Sequence, residues 1–225
     1  DPASREPGDG GPAGTRPDGL AARAREALGV LRRGGAVRWL VLLQVSDLLL
    51  DVLTGFLALY LVDVVHATPG EAALGVAVRL GAGLAGDVLL VHVLERAGDL
   101  RVLGAGAAAA AVLYPAFLLV PGLGPKLAVL ALLSVATASW YPVAQARWYQ
   151  SLPGHSDVAV SLDSVAGLAG GLGPAAVGAL AGWAGLGPAL TTLAVVPLLV
   201  LAAVRPARRQ QPPGSPRTDE LAQTG

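Results

Sequence analysis

Asp47 and Asp51 lie one helical turn apart in QVSDLLLDVLTG, residues 44–55, within an apolar run from Trp39 to Val62. On a helix, side chains three and four positions apart share a face. Gln44, Asp47, Asp51 and Thr54 have that spacing and form one polar stripe on an apolar helix. An ionised acid at a bilayer centre costs roughly 2.5–3.5 kcal/mol on insertion scales. A stripe with two acids must therefore face protein or a watery cavity. Two chemistries are open there. The acids bind a proton or a cationic group, or they pair with a basic neighbour and lock two helices together.

A second apolar segment runs back across and carries Arg79 and Asp87. By depth counting, Arg79 falls nearest Asp51 and Asp87 nearest Asp47. The expectation is an Arg79–Asp51 ion pair, as counter-ion or as a contact for an anionic substrate. Asp47 and Asp87 are left without a base, and low dielectric then favours a proton on one of them. Such a carboxyl is the usual hardware of proton coupling in membranes. A further segment sets Ser134, Thr137, Tyr141 and Gln145 on one face by the same spacing, as hydrogen-bonding groups for a substrate.

These residues need membrane spans to hold them, and the composition supplies spans. Of the 225 residues, 53% are hydrophobic and only 14% charged, against about 25% charged in soluble domains. A span needs about 20 mostly apolar residues. Six segments qualify: Val37 to Val62, Ala72 to Leu94, Val102 to Val120, Leu127 to Ala146, Val158 to Leu180 and Pro188 to Val204. The connections are short and rich in Gly and Pro (ATPGE, PGLGP, SLPGHSD, AGLG). Around this domain, 37–204, the sequence reads as a disordered linker (1–18), an amphipathic juxtamembrane segment (19–36) and a polar tail (205–225).

Basic residues alternate between the connections. Arg23, Arg25, Arg32, Arg33 and Arg38 precede the first span; Arg96 and Arg101 follow the second, Arg147 the fourth, and Arg205, Arg208 and Arg209 the sixth. The other three connections hold only Lys126. By the positive-inside rule both ends are cytoplasmic. Topology accounts for the basic clusters better than nucleic acid does. With no Cys and only three scattered histidines, His66, His92 and His155, a metal site or thiol nucleophile is not expected. An intramembrane serine protease needs a Ser with a His base at matching depth. Only His92 lies within a span, so no enzyme and no cofactor is expected.

The spans repeat in threes. The first and fourth carry polar stripes. The second (Gly75, Gly81, Gly83, Gly86) and the fifth (Gly167, Gly170, Gly171, Gly173, Gly178, Gly182) are glycine-rich. The third and sixth are apolar. The second triplet starts from the opposite side, as in an inverted-topology repeat. With this order the chain resembles the C-terminal six-helix half of a major facilitator superfamily transporter, over roughly residues 37–204. The resemblance implies a 3+3 helical half-bundle whose first and fourth helices line a cavity. It also implies solute transport by alternating access, and a missing N-terminal half of the same polypeptide.

The family has a loop motif after the second helix of a half: Gly, three residues, Asp-Arg, one residue, Gly, then basic residues. Here VHVLERAGDLRVL has Glu95 for the Asp, with Arg96 and Gly98 matching and Arg101 as a displaced basic residue; Val91 replaces the leading Gly. The resemblance implies a cytoplasmic gate at these four residues. The plainer reading is that Arg96 and Arg101 set topology while Asp99 caps the next helix. GLAGGLGPAAVG, 167–178, is similar to the family's antiporter motif but stands in the other half, and so supports a bend. SLPGHSD with its following glycines resembles bacterial drug and sugar effluxers of the family, which implies export. Arg in place of Lys, with abundant Ala, Gly, Val and Leu, points to a GC-rich bacterial genome and so to an inner membrane. The chain holds no Met and opens on a Pro/Gly-rich stretch without the apolar core of a signal peptide. It reads as part of a longer polypeptide; the alternative is a self-contained six-span subunit that dimerises or has a partner.

Overall fold

The computed structural model describes residues 29, 35–151, 162–164, 166–167 and 170–209, and the side chains of these as far as 204. The expected linker, most of segment 19–36, the fourth-to-fifth connection beyond Ser151, the start of the fifth span and the tail beyond 209 lie outside these residues. Among the described residues all regular structure is helical. The helices are α1 (Ala36–Asp63), α2 (Pro69–Ala97), α3 (Asp99–Leu119), α4 (Leu123–Thr137), α5 (Trp140–Gln150), α6 (Leu172–Ala184), α7 (Leu186–Thr192) and α8 (Val195–Arg209). Five stretches are long and apolar enough to cross a membrane: α1, α2, α3, Leu123–Gln150 and Leu186–Val204. They mark the chain as an integral membrane protein. The fifth expected span is represented by the shorter α6 and by helical residues on its N-terminal side. The last helix runs past Val204 to Arg209, into what reads as tail in the sequence.

Local chemistry sets the helix ends. Thr68 and Glu71 form a reciprocal capping box at the start of α2, with Pro69 at its first position. A single residue, Gly98 (φ +74°), joins α2 to α3. The fourth, fifth and sixth spans are each interrupted three or four residues before a proline. Pro142 follows the turn at Ala138–Ser139, Pro174 the turn at Gly171, and Pro197 the turn at Leu193–Ala194. Proline has no N–H for the carbonyl four residues back and clashes with it, which breaks the helix there.

Helix α1 packs on α2, α5, α6 and α8; α3 packs on α4 and α8; and α2 lies against α4. The core between them is sealed by Trp140, Trp148, Tyr114, Phe117 and a series of leucines. Glycines allow the closest approaches. A Cβ at Gly75 would strike Leu61, one at Gly173 would strike Leu48, and one at Gly86 would come within 2.8 Å of the Ala138 Cβ. Gly81, Gly83, Gly167 and Gly182 have open space instead.

At the Lys126 end of the bundle, Pro121 again leaves a carbonyl unserved, that of Phe117. Lys126 supplies the donor. Its Nζ is 2.5 Å from the Phe117 oxygen and 3.2 Å from that of Leu118, and it also reaches the Tyr60 hydroxyl at 3.3 Å. The Tyr60 and Phe117 rings flank the ammonium at 5.5 and 5.2 Å. Read in sequence as a lone basic residue of a connection, Lys126 is in fact 3% exposed and ties α1, α3 and α4 together.

Candidate functional site: a polar groove between the first, second and fourth spans

The first-span stripe forms on one continuous helix, but its partners differ from those expected. Arg79, 7% exposed, donates from Nη2 to the Leu50 carbonyl and to the Thr54 hydroxyl, both at 3.0 Å. Thr54 in turn donates to Leu50 O at 2.7 Å. These bonds replace the expected Arg79–Asp51 ion pair: the guanidinium is satisfied by a helix backbone and a hydroxyl, and Asp51 is exposed. Asp47 is half-buried, and its carboxylate neighbours are Asp51 and Asp163 rather than Asp87. Gln44 lies against Gly170, where a Cβ would collide with its carboxamide oxygen.

Asp87 is exposed and lines a groove of about 910 Å³ together with Arg79, Ser134, Thr137, Tyr141 and Leu50. The groove lies between the first, second and fourth spans. The fourth-span stripe thus survives the break at Ala138–Ser139. Its hydroxyls are already engaged, however. Ser134 and Thr137 are buried and donate to the carbonyls of Leu130 and Leu133 at 2.8 and 2.9 Å, leaving only acceptor capacity. Gln145 donates to the Tyr141 hydroxyl at 3.2 Å. Tyr141 joins the two halves of the site, since it lines the groove and also feels the charges of Asp47 and Asp163.

The arrangement offers one buried cation, Arg79, and four carboxylates on three spans. Chemically it can hold a charged or strongly polar solute and exchange protons with it. Asp163 is absent from the sequence-based set. The signal was available, because it is an acid inside an apolar span, as Asp47 is.

The residues implied as a gate occupy helix ends. Glu95 and Arg96 are exposed in the last turn of α2, Gly98 is the one-residue link, and Arg101 is exposed in the first turn of α3. Gly98 holds the cap position of α3 without a side-chain bond, and Asp99, the first residue of the helix, accepts from the Leu100 N–H at 2.8 Å. Asp99 also accepts a two-pronged bond from Arg147, at 2.5 and 2.7 Å, which ties α3 to α5. Arg147 and Arg38 both approach the Trp39 ring, at 5.9 and 5.0 Å. Sequence reading took Arg147 as a topology marker and missed this cluster. Among the described residues no group of His, Cys, Asp or Glu is placed to hold a metal ion. A comparison of the chain with protein-family models, with curated proteins and with solved structures gives no match.

Proposed function

We propose that this chain is the second half of a secondary transporter of the major facilitator type. It moves a small solute across a bacterial inner membrane by alternating access coupled to protons, and export is the preferred direction. The observation that carries this reading is the groove: a buried arginine without a carboxylate partner among the described residues and an exposed Asp87 line the same space in the middle of apolar spans. Polar groups at that depth are costly and belong to solute or ion pathways.

The packing supports a 3+3 repeat. Exchanging the first span for the fourth, the second for the fifth and the third for the sixth converts almost every packed pair into another packed pair. The exception, first on second, would map onto the fourth and fifth spans, whose connection lies outside the described residues. Asp51, Thr54 and Asp87 are exposed on this half alone, so a partner must cover them. The missing N-terminal half is the preferred cover and a second copy of this chain the alternative. In this assignment both ends of the domain are cytoplasmic, Asp47 carries the exchangeable proton, and Arg79 with Tyr141 contacts the solute.

The test uses the complete polypeptide in proteoliposomes loaded with a pH-sensitive dye and challenged with a panel of cationic, anionic and neutral solutes. At least one solute is expected to drive proton movement, and Asp47→Asn is expected to abolish it while solute binding persists. Coupling that survives the substitution removes Asp47 from the mechanism. A panel with no response in vesicles of proven orientation overturns the transporter reading for those solute classes.

A further inference from the structure

The two charges of the polar groove do not serve each other. Arg79, Gly83 and Asp87 follow at four-residue spacing on one face of α2, and all three line the groove of about 910 Å³. Eight residues separate the charges, about 12 Å along the helix axis, too far for an ion pair. Neither meets an opposite charge elsewhere, since Arg147–Asp99 is the one ion pair among the described residues. Thr54 and the Leu50 carbonyl take up the Nε and Nη2 of Arg79, while its Nη1 makes no hydrogen bond among the described residues. Gly83 stands midway between the charges. A Cβ there would meet nothing within 4 Å, so helix packing does not call for a glycine, as it does at Gly75 and Gly86. Glycine inside a helix is unfavourable relative to alanine, and what it yields here is free space between a cation and an anion. Leu80, Leu84 and Leu90 wall that space with apolar surface.

We infer that the groove takes a solute with an opposite charge at each end and an apolar middle: a carboxylate at Arg79 Nη1, an alkyl body over Gly83 and an ammonium at Asp87. The inference rests on the transporter reading of this groove and names its substrate class. A carboxylate alone would leave Asp87 unpaired, and an amine alone would leave Arg79 unpaired, each at a depth where an uncompensated charge is costly. A zwitterion pairs both and brings no net charge into the spans. Its charged groups must lie roughly 10 Å apart to reach both side chains. That excludes α-amino acids, whose charges are adjacent, and selects extended ω-amino carboxylates.

The test is displacement of radiolabelled ω-aminooctanoate from the complete polypeptide in lipid nanodiscs. Unlabelled ω-aminooctanoate is expected to displace it about ten-fold better than octanoate, octylamine or the shorter γ-aminobutyrate, the worth of one charge-assisted hydrogen bond. Asp87→Lys is expected to reverse the preference, so that octanedioate binds in place of the zwitterion. Gly83→Leu, which fills the space between the charges, is expected to abolish binding. Gly81→Leu, equally open but outside the groove, is expected to leave it unchanged. If Gly83→Leu or Asp87→Lys does not fold, Asp87→Asn carries the test, by bringing octanoate level with the zwitterion. Absence of ω-aminooctanoate binding by the wild type overturns the inference. So does equal displacement by octanoate or octylamine, or a preference that substitution of Asp87 leaves unaltered. The transporter reading fails separately. Binding without proton movement removes transport and keeps the zwitterion site, and proton movement driven only by singly charged solutes does the reverse.

Discussion

Lys126 shows how much one side chain can decide. A lysine in a nearly charge-free stretch is expected to snorkel to water; this one turns inward because Pro121 leaves the Phe117 carbonyl without its helical donor. Two effects oppose each other on its removal. Losing a buried charge is favourable, and leaving the Phe117 carbonyl unserved costs about 1–3 kcal/mol, while Leu118 O keeps the Tyr60 hydroxyl at 3.4 Å. The ammonium already has three oxygen acceptors and two aromatic faces, so most of its desolvation is compensated and the second effect wins. Lys126→Met is expected to destabilise the chain by about 2 kcal/mol, measured by chemical unfolding in micelles. A neutral or more stable variant would show that water serves the Phe117 carbonyl. The sequence showed that the position is basic; it could not show the inward turn, which depends on where the end of α3 falls relative to α1. The same holds for Arg79. Its depth was readable, but its bonds to Leu50 O and Thr54 depend on helix rotation, to which depth counting is blind.

At the scale of elements, one tetrapeptide makes a controlled comparison. Gly-Leu-Gly-Pro occurs at 122–125, 171–174 and 185–188, each time at a helix start. Gly122 (φ +80°, ψ +148°) and Gly185 (φ +91°, ψ +158°) adopt a conformation open essentially to glycine alone, whereas Gly171 (φ −60°, ψ −19°) is helical. The first two turn the chain between separate helices, and the third lies within a nearly continuous one. Gly122→Ala and Gly185→Ala are expected to cost about 1–3 kcal/mol each, and Gly171→Ala is expected to lack that penalty. Thermal unfolding of the three variants checks this, and equal losses would refute the conformational account. Span existence was legible because an apolar run of bilayer length has few other uses. Span ends shifted by a few residues, since helices continue through their caps into polar sequence, as Pro69–Ala97 does beyond Ala72 to Leu94. The interruptions were legible too, through Pro142, Pro174 and Pro197, but hydropathy averages over them.

For the whole molecule, the arginines make one end basic, and the proposed orientation puts that end in the cytoplasm. These 225 residues contain no cysteine, so a single cysteine placed in them is their one thiol. Gly70→Cys, with open space around it, is expected to react with a membrane-impermeant maleimide in intact cells, and Glu95→Cys only after lysis. The opposite pattern would invert the topology and move the proposed gate to the outer side. The repeat pattern of polar-striped, glycine-rich and apolar spans needed no coordinates. The groove did, because a groove is a relation among three helices, and sequence spacing orders residues on only one.

The one-residue link at Gly98 also constrains how the protein is made. Two membrane-length helices, α2 and α3, meet with no loop between them, so ribosome and insertion machinery cannot handle them as separate events. Span two alone inserts poorly, because Arg79 and Asp87 each oppose entry by roughly 2.5–3.5 kcal/mol. Its partner α3 carries no charge between Val102 and Leu119. The pair should therefore enter the bilayer together as a helical hairpin during synthesis, with the apolar arm carrying the charged one across.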